Sequence, residues 1–270
     1  MNEDLKKQLT KIIGSKNLII SDWGKKPYSE GWRYGSGKAL AVVKPGNLIE
    51  LWKVLNFCVE NDLIIIMQAA NTGLTGGSTP YGNNYDRDIL IINTLRINKI
   101  HILSRGEEVL ALAGSTLYDL EKRLIPMKRE PHSVIGSTSI GASIVGGICN
   151  NSGGSLVKRG PAYTEMSLYA KINKKGELVM VNDLDIDLGK NPEEILYNLE
   201  NENFEKKNFT ESKKVSSNES YEKLVRDIES SKPARFNADP NLLDFVGLDE
   251  FLNKIKDLSL IHISEPTRRR

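Results

Sequence analysis

The sequence of 270 residues has little cysteine and histidine and no long hydrophobic run. Its two cysteines, Cys58 and Cys149, stand far apart and outside any CxxC spacing, so we expect reduced thiols rather than a disulfide. No stretch approaches the ~18–20 apolar residues of a membrane-spanning helix. The first residues, MNEDLKKQLTKII, contain acids and no apolar core, which argues against a secretory signal. No group of His, Cys and carboxylate residues has the spacing of a metal site.

The sequence also lacks a large excess of charge of either sign, since it contains 37 Lys and Arg and 35 Asp and Glu residues. The last stretch, residues 258–270, reads LSLIHISEPTRRR and resembles a translated sequencing adapter. We therefore expect that this tail is not native and that the natural chain continues beyond it. Removing its three Arg and one Glu leaves 34 residues of each sign. A body without a concentrated basic face gives no support for nucleic-acid binding.

The hydrophobic pattern predicts alternating helices and strands. Predicted helices cover 4–13, about 48–60 and about 115–124. Predicted strands cover 39–43, 63–67, 89–93, 99–103 and 108–114, with a two-stranded hairpin at 165–182. The second helix should bury one face formed by Leu48, Trp52, Leu55 and Val59. The run at 63–67 is apolar on both faces, as a central strand would be.

A glycine-rich loop follows that run. The stretch MQAANTGLTGGSTP, residues 67–80, places Gly73, Gly76 and Gly77 within five positions and carries no charged residue. Glycine lets several backbone N–H groups approach one anion, so the loop could be a phosphate cradle; a long surface turn is the alternative. A Walker A loop is excluded because no Lys follows the glycines. A dinucleotide fingerprint is disfavoured because the loop leads into a strand rather than a helix.

A second stretch, GSTSIGASIVGGICNNSGGS at 136–155, is too long to be a simple turn. Small residues with a few apolar ones suit a wall against a broad, flat ligand. Asn150 and Asn151 tolerate left-handed backbone and carry amide donors. Together, the two neutral loops predict a ligand with a diphosphate and a flat ring.

Three blocks of the sequence resemble a known family. They are MQAANTGLTGGSTP, REPHSVIGSTSIGASIVGGICNNSGGSLVKRGPAYTEMSL and PARFNADP, and the similarity is nearly continuous over 39–239. The family is that of the respiratory, quinone-linked D-lactate dehydrogenases, flavoproteins of the vanillyl-alcohol oxidase and p-cresol methylhydroxylase fold class. The resemblance implies an α+β FAD-binding domain of the p-cresol methylhydroxylase type, made of two α/β subdomains with FAD between them. It covers only the amino-terminal part of the family.

The resemblance also implies domain boundaries. We expect a helical segment at 1–35, one subdomain at 36–98 and a second at 99–240. The second subdomain should contain a charged, partly helical surface excursion near 195–232. Residues 241–257 stay unassigned ahead of the suspected tail.

Cofactor contacts follow from the same resemblance. The residues implied to bind FAD are Ala69, Ala70, Asn71, Thr72, Gly73, Gly77 and Ser78 of the first stretch, and Gly136, Ser143 and Gly153 of the second. Covalent members of the fold class attach flavin through a side chain such as His, often in this first loop. The loop has no His, Cys or Tyr before Tyr81, so we infer that FAD is held non-covalently.

The activity implied for the full enzyme is oxidation of D-lactate to pyruvate, with electrons passing through FAD to quinone. Its expected location is peripheral, on the cytoplasmic side of the bacterial inner membrane. Contact with the membrane is expected only through regions that are missing from this sequence. We assign no catalytic residue, and we expect this fragment to bind FAD poorly and to be inactive.

Several isolated residues are weighed against simpler roles. His132 could be a catalytic base, but we expect a loop histidine that bonds to backbone near the flavin. Arg129 could meet an anionic substrate, but a surface ion pair, for example with Glu130, is expected. Cys149 is expected to be a small packing residue, and His101, in an alternating strand, to face solvent.

Two rival interpretations stay open. One is another FAD-dependent oxidoreductase of the same fold. The other is a non-catalytic fragment that binds FAD or a nucleotide. Turnover of D-lactate with an artificial electron acceptor would separate the enzyme from the non-catalytic fragment.

Overall fold

The computed structural model describes residues 1–131, 137–150, 152 and 166–205. It contains two compact units. The first comprises Met1–Pro131, Ser137–Gly146 and Glu165–Lys207, and the second holds the rest of the chain. Of the second unit, only residues 147–150 and 152 are described. His132, Gly136, Asn151, Gly153 and the suspected tail at 258–270 lie outside the described residues.

The helices are α1 (Glu3–Ile13), α2 (Asp22–Ser29), α3 (Leu48–Glu60), α4 (Leu117–Leu124), α5 (Ile144–Cys149) and α6 (Pro192–Glu200). The strands are β1 (Leu18–Ile19), β2 (Ala41–Val43), β3 (Ile64–Gln68), β4 (Ile89–Asn93), β5 (Ile100–Leu103), β6 (Glu108–Ala111), β7 (Leu168–Ile172) and β8 (Leu178–Asn182). These bounds confirm the predicted helices and strands to within a few residues, including the hairpin at 165–182.

Side-chain caps fix the starts of the main helices. Asn47 precedes α3 and accepts a hydrogen bond from Glu50 N at 2.7 Å, while the Glu50 carboxylate accepts from Gly46 N at 2.6 Å. This reciprocal arrangement satisfies N–H groups that a helix start leaves without partners. Helix α1 begins with a cap in one direction only, in which Asn2 Oδ1 accepts a hydrogen bond from Asp4 N.

Four strands form a mixed sheet in the order β1-β2-β4-β3. Strands β2 and β3 both run parallel to β4, and β1 is antiparallel to β2. Every residue of β4 is buried, whereas β3 is half-buried and Met67 is 43% exposed. The prediction of a central strand at 63–67 was therefore wrong within this sheet. The apolar run is an edge strand, and β4 holds the centre.

The core lies on both faces of this sheet because neighbouring side chains on a strand point to opposite sides. Leu90 and Ile92 pack with residues of α1 and α3, such as Leu9 and Phe57. Ile91 belongs to the cluster on the other face. The sheet is thus buried on both sides, as parallel strands require.

Helix α3 uses two faces rather than one. Trp52 packs in a cluster with Leu196 and Leu199 of α6, while Val54, Phe57 and Cys58 pack against the sheet. The predicted single face was correct for Leu48 and Trp52, which are buried, but Leu55 and Val59 are only partly buried. The helix therefore lies between two layers of apolar residues.

Helix α6 also corrects the prediction of a surface excursion from residue 195. Leu196 and Leu199 are 5% and 3% exposed and belong to the core cluster around Trp52. The Glu200 carboxylate accepts a hydrogen bond from Leu48 N at 2.9 Å, at the start of α3. Residues 195–200 are thus part of the packed structure; those from 206 onward lie beyond the described part.

His101 was predicted to face solvent, and this was wrong. It lies in the β5–β6 ladder opposite Leu110, is 3% exposed, and its Nδ1 atom is hydrogen bonded to Glu202 Oε1. The Phe204 ring packs edge-on to the imidazole. Strand alternation predicted the side of the ladder, but the segment that covers that side comes from about one hundred residues later.

Among the helices that the structure describes, none is both long and apolar enough to cross a membrane.

The two cysteines differ in exposure and should differ in reactivity. Cys58 is fully buried in α3, and burial raises the pKa of its thiol to about 12, whereas Cys149 is exposed. Because the thiolate is the reactive form, Ellman's reagent should label one thiol in the native chain and two after denaturation. The variant Cys149→Ser should show no rapid labelling. Rapid labelling of two thiols in the native chain would contradict the packing of α3.

Candidate functional site

The site lies where two parallel strands end side by side. In the ladder of β3 and β4, Gln68 is the register partner of Asn93, so both strands finish at the same edge of the sheet. The first glycine loop, residues 69–80, leaves β3 at this edge. Loops that follow the carboxyl ends of parallel strands are common ligand sites in α/β sheets.

The loop is held in shape by its own polar side chains. Asn71 has a left-handed backbone (φ 56°), and its Nδ2 atom donates to Glu30 O at 2.7 Å. Ser78 Oγ donates to Asn71 Oδ1 at 2.8 Å, which joins the two arms of the loop. These contacts occupy the side chains of Asn71 and Ser78, so their contribution to a ligand would come mainly from the backbone.

One side of the loop is bare backbone. Gly73 and Gly77 are exposed, and an added Cβ would meet only Ser78 Oγ at 3.8 Å and Thr75 Oγ1 at 3.9 Å, respectively. Within the described part of the chain, the backbone N–H groups of residues 70–77 donate to no protein acceptor. Such free N–H groups beside open space fit a diphosphate, which needs several donors and close approach.

The other side of the loop packs tightly on the segment after α2. An added Cβ at Gly35, which has a positive φ of 88°, would overlap Thr79 Oγ1, and one at Gly31 would lie 3.3 Å from the same atom. Gly82 N donates to Ser36 O at 2.8 Å and extends this contact. The segment thus supports the loop from behind. This supporting role was not predicted from the sequence.

The second glycine stretch reaches the first loop. Gly141 adopts a left-handed backbone (φ 93°), and a Cβ built there would lie 3.8 Å from the Ala70 side chain. Ala142 O accepts from Leu117 N at 2.9 Å, which anchors the stretch at the start of α4. Ser143 is 6% exposed, and its Oγ accepts from Gly146 N at 3.0 Å. The structure therefore brings the residues predicted at 69–78 close to the part of the second stretch that precedes Ser143.

The assigned cofactor residues differ in accessibility. Exposed or partly buried positions are Ala69, Ala70, Asn71, Thr72, Gly73, Gly77 and Ser78. Ser143 is buried, and Gly136 and Gly153 are outside the described ranges. The contacts of all ten assigned residues with FAD stay predictions.

Two residues beneath the loop were not predicted to belong to the site. Gln68 and Asn93 are 2% and 1% exposed, and Asn93 Nδ2 donates to Ala69 O at 2.9 Å. The signal was present, because two apolar runs, IIIMQ and ILIIN, each end in a side-chain amide. A polar residue that ends a buried strand needs a partner, and here the glycine loop supplies it.

Two predictions for nearby residues change. Arg129 forms a surface ion pair as predicted, but with Glu107 at 2.7 Å rather than with its neighbour Glu130. Cys149 was expected to be a packing residue, and this was wrong because its side chain is exposed at the end of α5. The buried residue of α5 is Ile144, at the opposite end of the helix from Cys149.

A separate groove of about 870 Å³ lies at the amino ends of β2 and β4, away from the glycine loops. Its charged residues are mixed in sign, with Lys6, Lys25, Lys38 and Arg87 beside Glu3, Asp22, Asp86 and Asp88. This balance gives no preference for an anion. No group of three His, Cys, Asp or Glu residues that could hold a metal occurs in the described ranges.

A family model described as "FAD binding domain" matches residues 39–181, which include both glycine stretches. The chain belongs to this FAD-binding domain family. FAD is accordingly its cofactor, and the bare cradle at residues 70–77 fits the diphosphate of that cofactor.

Curated relatives of this FAD-binding chain extend well beyond it. It is 56% identical over 242 residues to the quinone-dependent D-lactate dehydrogenase of Escherichia coli. The matched region covers 90% of this chain and 42% of that protein. The enzyme of the same name from Haemophilus influenzae is 54% identical and covers 88% and 42%. The mitochondrial D-2-hydroxyglutarate dehydrogenase of Arabidopsis thaliana is 27% identical over 64% of the chain and 31% of that protein. The chain thus spans less than half the length of these relatives.

Solved structures agree on the fold. Alkyldihydroxyacetonephosphate synthase superposes with a TM-score of 0.56 at 15% identity, over 73% of this chain and 37% of that one. The p-cresol methylhydroxylase structure superposes with a TM-score of 0.50 at 16% identity, over 66% and 35%. The α+β FAD-binding fold of the p-cresol methylhydroxylase type is therefore confirmed.

Gly114, which follows β6 and packs against the Thr94 backbone, should differ from the glycines of the cradle in its effect on stability. Gly114→Ala should lower the free energy of unfolding by about 1–3 kcal/mol, because the new Cβ would overlap the Thr94 backbone. Gly73→Ala and Gly77→Ala should change it by less than about 0.5 kcal/mol, because their Cβ atoms would enter open space. Urea unfolding without FAD measures all three. A loss at Gly77 equal to that at Gly114 would mean that protein atoms fill the cradle.

Proposed function

We propose that this chain is the FAD-binding part of a quinone-dependent D-lactate dehydrogenase. The observation that carries the proposal is the bare cradle at residues 70–77, within a chain that is 56% identical to a relative of that name. Identity to the D-2-hydroxyglutarate dehydrogenase of Arabidopsis is 27%, so D-lactate is favoured over the larger 2-hydroxy acid.

The cradle binds the FAD diphosphate through its backbone. The residues assigned to it are Ala69, Ala70, Asn71, Thr72, Gly73, Gly77 and Ser78, with Gly136, Ser143 and Gly153 contributing from the second stretch. Neutral N–H donors stabilise the diphosphate without a charged side chain, which explains the lack of Lys and Arg in the loop. The loop offers no His, Cys or Tyr before Tyr81, so binding is non-covalent.

The overall reaction removes two electrons from D-lactate. Its C2 loses a hydride and its hydroxyl loses a proton to give pyruvate, and quinone takes up the electrons. Bound FAD supplies the hydride acceptor for this oxidation. The contribution of the described residues is to hold and orient the cofactor, and no catalytic acid or base is assigned among them. Peripheral association with the cytoplasmic face of the inner membrane belongs to the complete enzyme.

Substitutions in the cradle should weaken FAD binding. Gly73→Val and Gly77→Val place a branched side chain where the diphosphate would approach, and losing one charge-assisted contact costs roughly 1.5–3 kcal/mol. The dissociation constant of FAD should therefore rise about ten- to a hundredfold, as measured by quenching of flavin fluorescence. Urea unfolding of the same variants controls for folding. Unchanged FAD affinity in both variants would show that the diphosphate does not bind at Gly73 and Gly77.

Activity should require the length that the chain lacks relative to its relatives. The isolated chain with FAD should reduce no dye with D-lactate. A chimera, in which this sequence replaces the matched 42% of the E. coli enzyme, should oxidise D-lactate with a quinone acceptor. A folded chimera that binds no FAD, or that binds FAD and does not oxidise D-lactate, would refute the assignment of this chain as the FAD-binding part of such an enzyme. FAD-dependent turnover by the isolated chain, above a Gly73→Val control, would show that the chain carries the catalytic groups itself.

A further inference from the structure

Two buried side-chain amides meet under the first glycine loop. Gln68 ends β3 and Asn93 ends β4, and the two residues are paired in the parallel register. They are 2% and 1% exposed. Asn93 Nδ2 lies 3.4 Å from Gln68 Oε1 and donates more closely to Ala69 O, at 2.9 Å. The amides are therefore linked to each other and to the first residue of the loop.

The Gln68 amide also reaches the far end of the loop. Its Nε2 atom donates to Ser78 O and to Tyr28 O, both at 2.8 Å. Ser78 lies ten residues further along the chain, and Tyr28 belongs to α2. One side chain thus joins the strand, the return of the loop and the helix behind it.

These contacts depend on the conformation that the loop has in this structure. A buried N–H without an acceptor is costly, and Gln68 has two to satisfy. Both find acceptors only while the Ser78 and Tyr28 carbonyls stay in place. The loop's own glycines favour many backbone shapes, so the amides supply the constraint that its sequence lacks.

We infer that Gln68 and Asn93 are positioning residues that hold the first glycine loop ready for FAD. The inference rests on the proposed role of that loop in binding the cofactor. Both side chains are buried beneath the loop and act through Ala69 and Ser78. A loop already in its binding shape loses less conformational freedom when the ligand arrives, which strengthens binding.

The test uses Gln68→Met and Asn93→Leu in the full 270-residue chain. A matched control is Asn198→Leu, which removes a similar amide-to-carbonyl hydrogen bond, from Asn198 Nδ2 to Leu188 O at 2.9 Å, in α6 and away from the loop. Three quantities are measured for each protein: the free energy of unfolding in urea, the dissociation constant of FAD, and the rate of thermolysin cleavage at Leu74 without FAD. Leu74 is 53% exposed within the loop and reports its opening.

A positioning role predicts that both loop variants raise the dissociation constant of FAD about tenfold or more. It also predicts that both variants speed cleavage at Leu74 by a similar factor. This increase in rate should exceed that of Asn198→Leu when the proteins are compared at equal free energy of unfolding. If either quantity matches the control, the inference is overturned. If Gln68→Met does not fold, Asn93→Leu decides, since it leaves both Gln68 donors in place. If the chimera with the E. coli enzyme binds no FAD, the proposed function of the loop fails. Unchanged cleavage at Leu74 in both variants would overturn the positioning role by itself.

Discussion

The parallel pairing of β4 with β3 is the constraint on which the site depends. It aligns the two strands so that Gln68 and Asn93 stand opposite one another at the same edge. The chain must leave β3 there, and it does so through a loop with almost no intrinsic shape. The strand pairing therefore fixes the starting point of the loop, and the amides at the strand ends limit its course. A slip of β3 by one residue in that register would turn Gln68 to the other face of the sheet, away from Asn93.

Local pattern was enough to predict most elements, because their signals lie within a few residues. The spacing of Leu5, Leu9 and Ile13 matched α1, and the apolar run at 89–93 matched β4. The order of the strands was not accessible in this way. Both 63–67 and 89–93 are runs of Ile and Leu with a sulfur or amide at the end, and their composition cannot say which has neighbours on both sides.

Contacts between distant segments account for the remaining errors. His101 was placed in solvent because strand alternation does not reveal that residues 202–204 return to cover it. In the site, glycine content pointed to the correct loop but could not separate two kinds of glycine. Gly35 and Gly114 make room for neighbouring protein atoms, whereas Gly73 and Gly77 face open space. The approach of Gly141 to Ala70 likewise depends on the fold.

Strand β3 carries a consequence of its place at the edge of the described sheet. Its sequence, IIIMQ, has no charged residue and no proline, and Met67 is exposed. Natural edge strands usually carry Lys, Pro or a bulge, which discourage pairing with a strand from another molecule. Within the described residues, β3 has none of these protective features. Of the two edge strands of the described sheet, the five-residue β3, rather than the two-residue β1, is therefore the place where pairing with a strand from another molecule is expected.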